Sequence, residues 1–381
     1  MKKVSQDLIN VTDYEVLGKL PELLRFNDGT PVTTAEEWEK RRREIYRSAV
    51  ELQYGTVPPE PEFLDVEVLC NHQSLSCRVH TGTREKPISF YMKVILPEKS
   101  VGKGCPIIVD GDMCFDSYLA DGFISAATDE GVAWAFFDRT ELANDAHDGR
   151  RGQIYDTYPD YTFGAIGAWA WGYSRCVDAL IKLFGNQTEP RVDLSAIVFT
   201  GHSRGGKTAA LAGALDKRAA IVNPNQSGMC GCGCYRIRMR GYCKGVGREN
   251  RSEVLRDDVT LFPYWTGPEL AEYVDREAEL PFDSHFLKAL IAPRVLYTSD
   301  AAADIWANPI GAWMTNMAAK RVWELLGAED NLCWSYREGL HSHTAEDIKR
   351  LVGVIKHYAD PSIPLPDGFF ATPFEPREYI F

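Results

Sequence analysis

The chain has no excess of positive charge. Its 381 residues carry 42 Lys and Arg against 54 Asp and Glu, a formal net charge of −12. Nucleic-acid or anionic-membrane partners favour a basic surface, so this balance argues against both. A long apolar run is also missing. The most apolar stretch, Phe163 to Tyr173, has 11 residues with three glycines, well short of the roughly 20 needed to cross a bilayer. The N-terminus opens on Lys2 and Lys3, but no apolar segment follows as a secretory signal would require. Internal repeats, low-complexity tracts and charge blocks are equally lacking. The expectation is a cytoplasmic protein whose ten cysteines are reduced thiols.

The hydrophobic pattern changes along the chain. Residues 1–60 read as an irregular start followed by a polar helix over Thr34–Tyr54, stopped by Gly55 and Pro58-Pro59. Residues 62–96 alternate apolar and polar, as half-buried antiparallel strands do. Beyond them come short continuous apolar runs: Pro106–Val109, Val132–Phe137, Ala196–Phe199 and Val295–Tyr297. Such runs suit strands covered on both faces. Helical stretches lie among them over Ile166–Phe184, Ser203–Leu215, Pro309–Leu326 and Thr344–Tyr358. Strands alternating with helices predict an α/β fold, a mostly parallel sheet flanked by helices in a three-layer sandwich. No linker interrupts residues 100–360. The division expected is an N-terminal extension over 1–60 and one α/β domain over 61–381.

Gly201-His202-Ser203-Arg204-Gly205-Gly206-Lys207 fits G-x-S-x-G between a predicted strand and a predicted helix, the setting of a nucleophile elbow. Small neighbours let the backbone turn sharply and present Ser203 at a helix N-terminus, where N–H groups can stabilise an oxyanion. A serine hydroxyl needs a base, and the partners of such an elbow follow it in the order acid, histidine. Four histidines qualify: His285, His341, His343 and His357. His341, in a loop after an apolar run and before the last helix, fits the base best, with His343 its competitor. Asp300 and Asp304 both follow the strand Val295–Thr298. Small residues before Asp304 leave room for the chain to turn back, but the residues alone leave the choice open.

Several blocks, in order, carry a resemblance. They are Tyr161–Gly172, Thr200–Ala214, Phe262-Pro263-Tyr264-Trp265, Leu280–Asp283 with Leu290–Arg294, Asp304–Pro309, and Gly339-Leu340-His341. Over residues 90–360 the chain resembles the glucuronoyl esterases, carbohydrate esterase family 15, in particular their bacterial branch. The resemblance implies an α/β-hydrolase that cleaves an ester of 4-O-methyl-glucuronic acid linking xylan to lignin alcohols. It makes Ser203 the nucleophile, His341 the base and Asp304 the acid, two residues before Trp306. It further implies Arg204 at the oxyanion, with Lys207 and Trp306 beside the sugar. The partner expected is a small-molecule or oligosaccharide ester, and no cofactor or metal is expected. Alternatives are the same triad acting on another ester, such as an acetylated sugar, and a non-catalytic carbohydrate-binding protein.

The chain departs from the family pattern in two places. Where many members carry the acid as a glutamate 23 residues after the serine, this chain has Gln226, expected here as a substrate-side or hydrogen-bonding neighbour. Between Gly228 and Phe262 it is about a dozen residues longer than the family pattern. Counting back from Phe262, Glu253 aligns with a sugar-contacting glutamate. The longer stretch holds Cys230, Cys232, Cys234 and Cys243. Their alternate spacing is unlike the usual C-x₂-C knuckles of zinc sites, so they read as packing thiols, with a metal site or a disulfide as alternatives.

Overall fold

A computed structural model describes residues 9–72, 74–98, 104–243 and 248–372. The central sheet has nine strands: β2 (Phe63–Asn71), β3 (Ser74–Gly82), β4 (Pro87–Ile95), β5 (Cys105–Asp110), β6 (Ala133–Phe137), β7 (Val192–His202), β8 (Ala219–Asn225), β11 (Val295–Ala301) and β12 (Leu332–Arg337). Their spatial order is β12-β11-β8-β7-β5-β6-β4-β3-β2. From β12 to β6 every pair is parallel, while β6-β4-β3-β2 run antiparallel.

Successive residues of these strands alternate between two cores. Ile107, Val109, Ala135, Phe137, Ile197, Phe199 and Leu296 join the helices Ala165–Phe184 and Arg204–Leu215 in one buried cluster. Ile108, Trp134, Phe136, Val198 and Tyr297 point the other way, onto Ile348, Leu351 and Ile355 of the helix Ala345–Ala359. The period-2 alternation of a strand, covered on both sides, explains the unbroken apolar runs. The fold is the α/β-hydrolase three-layer sandwich, with helices on both faces of a mostly parallel sheet.

The polar N-terminal helix forms over Ala35–Tyr46, capped by Thr34, and continues through wider and tighter turns to Tyr54. Its Trp38, Ile45, Val50 and Tyr54 enter the same core as the helix Ala165–Phe184. From residue 9 onward the segment is more regular than the irregular start expected. Strand β1 (Ile9–Val16) pairs antiparallel with β9 (Ile237–Cys243), which pairs with β10 (Arg248–Arg251). An eight-residue strand needs a partner to show itself, and this partner lies more than 200 residues away. The longer stretch after Gly228 therefore supplies two strands of a second, three-stranded sheet. Among the described residues no helix is long and apolar enough to cross a membrane.

Candidate active site

Four neighbouring parallel strands end at one edge of the sheet, and each delivers one residue there. Ser203 follows β7, Gln226 follows β8, Asp304 lies three residues past β11, and His341 four past β12. Open parallel sheets place their ligands at these carboxyl ends.

Ser203 has φ 55° and ψ −119°, between the strand and the helix Arg204–Leu215. A left-handed φ costs a non-glycine residue on the order of 1–3 kcal/mol, so the turn must be held by its surroundings. The Ser203 N–H donates to Asn225 O at 3.0 Å, and its carbonyl accepts from Lys207 N–H at 2.9 Å. The motif glycines make room: a Cβ on Gly201 would lie 2.5 Å from Gly205 O, and one on Gly206 2.6 Å from Asn225 O.

The triad is assembled. His341 Nε2 lies 2.8 Å from Ser203 Oγ, and His341 Nδ1 lies 2.6 Å from Asp304 Oδ2. Asp304 is buried, and its other oxygen accepts from the Ala307 N–H at 3.3 Å. Asp300 is the carboxylate that His341 does not use. It is buried on β11, where burial pushes its carboxyl up to about 7 against the pull of Lys288. Of the candidates for each role, Asp304 and His341 are the ones the structure brings together with Ser203.

His343 is buried edge-on to Phe123 at 4.9 Å and stacked on His202 at 5.4 Å. Among the described residues neither of its ring nitrogens has a hydrogen-bond partner. Burial pushes its imidazole down to about 4 from the usual 6.5. The unfolded state therefore binds more protons between these values, so the contribution of His343 to stability is intact above pH 6.5 and declines as pH falls toward 4. The full span is about 3 kcal/mol. His343→Phe, which keeps the ring against Phe123 and cannot charge, should gain on the wild type by about 3 kcal/mol in urea unfolding between pH 7 and pH 4. A gap that stays constant over that range would contradict this.

His202 sits with its ring centroid 4.6 Å from that of His341, and its Nδ1 is 2.7 Å from Asn225 Oδ1. Burial first, then the two neighbouring imidazoles, holds it well below its usual range. It is thus a neutral wall behind the base.

Arg204 is half-buried. Its Nη1 donates to Asp145 at 3.0 and 3.1 Å, and its guanidinium lies over Trp265 at 4.7 Å and Phe262 at 5.2 Å. Phe262 and Trp265 stack at 3.8 Å. Asp145 also accepts from Tyr264 Oη at 2.7 Å. Burial would raise the Asp145 carboxyl, but Arg204 and Tyr264 hold it below its ordinary value. Asp145, Asp112 and His202 carry no sequence signal as site residues. Asp112 follows β5, forms a short ion pair with the buried Arg139, and accepts the His202 N–H at 2.7 Å. A Cβ on Gly205 would collide with it. The motif glycine is legible in the sequence, but the carboxylate behind it is not, because it comes from another strand.

Lys207, one helical turn after Ser203, is buried. Its Nζ donates to Glu253 Oε2 at 2.6 Å and makes a short bond to Met229 O. Burial raises the Glu253 carboxyl and Asp258 raises it further, while Lys207 pulls it down. Trp306 is half-buried, and its carbonyl accepts the Glu253 N–H at 3.0 Å. These three residues therefore form one unit between the elbow helix and the acid loop. Gln226 is placed differently from a substrate contact. It is fully buried, and both ends of its amide face Ser342.

Cys230, Cys232 and Cys234 are buried free thiols. Cys230 Sγ is 3.2 Å from Asp258 Oδ2, and Cys234 Sγ is 3.5 Å from Asp283 Oδ2. Cys243 ends β9, and its side chain lies outside the described residues. Among the described residues no group of three or more His, Cys, Asp or Glu is arranged to hold a metal ion.

A family model described as "Glucuronyl esterase, fungi" matches residues 79–327. A 4-O-methyl-glucuronoyl methylesterase from Podospora anserina is 33% identical over 331 residues, covering 86% of this chain and 64% of its own length. One from Hypocrea jecorina is 32% identical, covering 86% of this chain and 66% of its own length. This chain thus spans slightly less than two thirds of the length of these two relatives. Among solved structures, a carbohydrate esterase family 15 glucuronoyl esterase from Caldicellulosiruptor kristjansonii superposes with a TM-score of 0.81 at 29% identity, over 94% of this chain and 95% of that one. A variant glucuronoyl esterase from Sporotrichum thermophile, in complex with methyl 4-O-methyl-β-D-glucopyranuronate, does so with a TM-score of 0.71 at 25% identity, over 91% and 89%.

Proposed function

This chain belongs to the glucuronoyl esterase family, and from that premise we propose that it is a serine carboxylic-ester hydrolase acting on an ester of (4-O-methyl-)glucuronic acid. The observation that carries the chemistry is the unbroken relay from Asp304 through His341 to Ser203, at 2.6 and 2.8 Å. Ser203 Oγ attacks the ester carbonyl as His341 Nε2 takes its proton. The same nitrogen then returns the proton to the leaving alcohol. Asp304 stabilises the imidazolium in between, and water completes the cycle through an acyl-enzyme. The Arg204 N–H, at the first helical position, has no acceptor within its own helix. With the Arg204 guanidinium it supplies the oxyanion's donors.

The substrate class is supported by the company of the serine. Lys207 and Glu253 offer a charged donor and a carboxylate for sugar hydroxyls, and Trp306 offers a ring face. The related esterase crystallised with a methyl glucuronate ester points the same way. Lys207→Met should raise KM for methyl or benzyl glucuronate roughly tenfold or more, as loss of a charged hydrogen bond predicts. KM for 4-nitrophenyl acetate, which has no sugar to read, should stay within about twofold. A panel comparing glucuronate esters with acetylated xylose decides the class, and a clear preference for the acetyl ester would sink this reading.

A further inference from the structure

The residue after the catalytic histidine is gripped from below. Gln226 Nε2 donates to Ser342 O at 2.8 Å, and Gln226 Oε1 accepts the Ser342 N–H at 3.3 Å. One side chain thus engages both polar groups of one residue's backbone. Ser342 O also accepts from Arg337 Nη2 at 2.6 Å. Gln226 itself is well anchored. It is fully buried, its N–H donates to Ser299 O at 2.9 Å, and it holds a left-handed φ of 44°. It stands at the end of β8, between the strand that delivers Ser203 and the strand that leads to Asp304.

We propose that Gln226 is a positioning residue that sets the height and tilt of the His341 loop through Ser342, an assignment that rests on the hydrolytic reading of Ser203 and His341. Asp304 controls the ring of His341 through Nδ1, and Gln226 controls the backbone that carries that ring. The two tasks need different chemistry. A residue's backbone presents one N–H donor and one C=O acceptor, so its complement must accept and donate, as an amide side chain does. An ionised carboxylate only accepts, and would set its second oxygen against the Ser342 carbonyl. Fixing the base within a fraction of an ångström of Ser203 Oγ is worth up to 100-fold in rate.

Two variants test this. Gln226→Met has nearly the same shape and no hydrogen bonds, and Gln226→Glu has the same shape and loses the donor when ionised. In both, kcat for a glucuronate ester should fall roughly 10- to 100-fold with KM within about twofold. The rate at which a fluorophosphonate labels Ser203 should fall by the same factor. Wild-type kcat and labelling rate in both variants, or a loss confined to KM, would overturn the proposal. The labelling reaction needs the serine and its base but no sugar. If the wild type cleaves no glucuronate ester, the substrate reading fails while the labelling rates still test Gln226.

Discussion

Replacing Ser203 with alanine should lower kcat for a glucuronate ester by on the order of 10⁶-fold, the scale of nucleophile loss in other serine hydrolases. The substitution removes one hydroxyl and leaves the Cβ, so the left-handed turn at φ 55° carries nearly the same strain as before. Folding should survive, and melting temperatures of the two proteins should agree closely. Binding should also survive. Arg204, Lys207 and Trp306 are untouched, so KM or product affinity should change little. What disappears is the acyl-enzyme. The fluorophosphonate label on Ser203 should be lost completely, and a substrate burst with it. Steady-state kinetics and intact-protein mass after labelling check this. Turnover within tenfold of wild type would mean that some other group attacks the ester.

The next largest effect is expected at the acid. Asp304→Asn should cost about 10⁴-fold in kcat, because an amide cannot stabilise the imidazolium and can lock the ring in the wrong tautomer. The contact concerned is the 2.6 Å bond to His341 Nδ1. The paired control is Asp300→Asn. Asp300 lies on β11 itself, four residues before Asp304, and is also buried. Burial raises its carboxyl most, Lys288 and then Arg337 lower it, and the neighbouring Asp304 and Asp347 raise it. Neutralising it should change kcat by less than about tenfold, with most of the effect on stability. If Asp300→Asn costs more activity than Asp304→Asn, the triad has been assigned to the wrong aspartate.

These two experiments fall where the sequence differed in what it could say. Ser203 was legible because its signal is local: two glycines, a strand before and a helix after. His341 was nearly so, since only four histidines follow the elbow and only His341 and His343 stand in the loop before the last helix. The acid was not legible from residues alone. Asp300 and Asp304 are four positions apart after one strand, and only the turn at Ala301–Asp304, where Asp304 N–H donates to Ala301 O at 3.1 Å, sends one to the histidine. The parallel strands were visible as apolar runs because two cores cover them. Strand β1 was not, because its partner β9 comes from the far side of the chain.

The sequence by itself determined the class of fold, the elbow that presents Ser203, the place of Lys207 one turn along its helix, and the net negative charge. Those are consequences of composition, period and short spacing. The tertiary structure decided the rest. It brought Asp304 rather than Asp300 to His341, set both ends of the Gln226 amide against Ser342, paired Lys207 with Glu253, and set Asp145 against Arg204. The physical reason is the strand order. Residues from β5, β7, β8, β11 and β12 become neighbours only when the sheet places their carboxyl ends side by side, and no spacing along the chain encodes that adjacency.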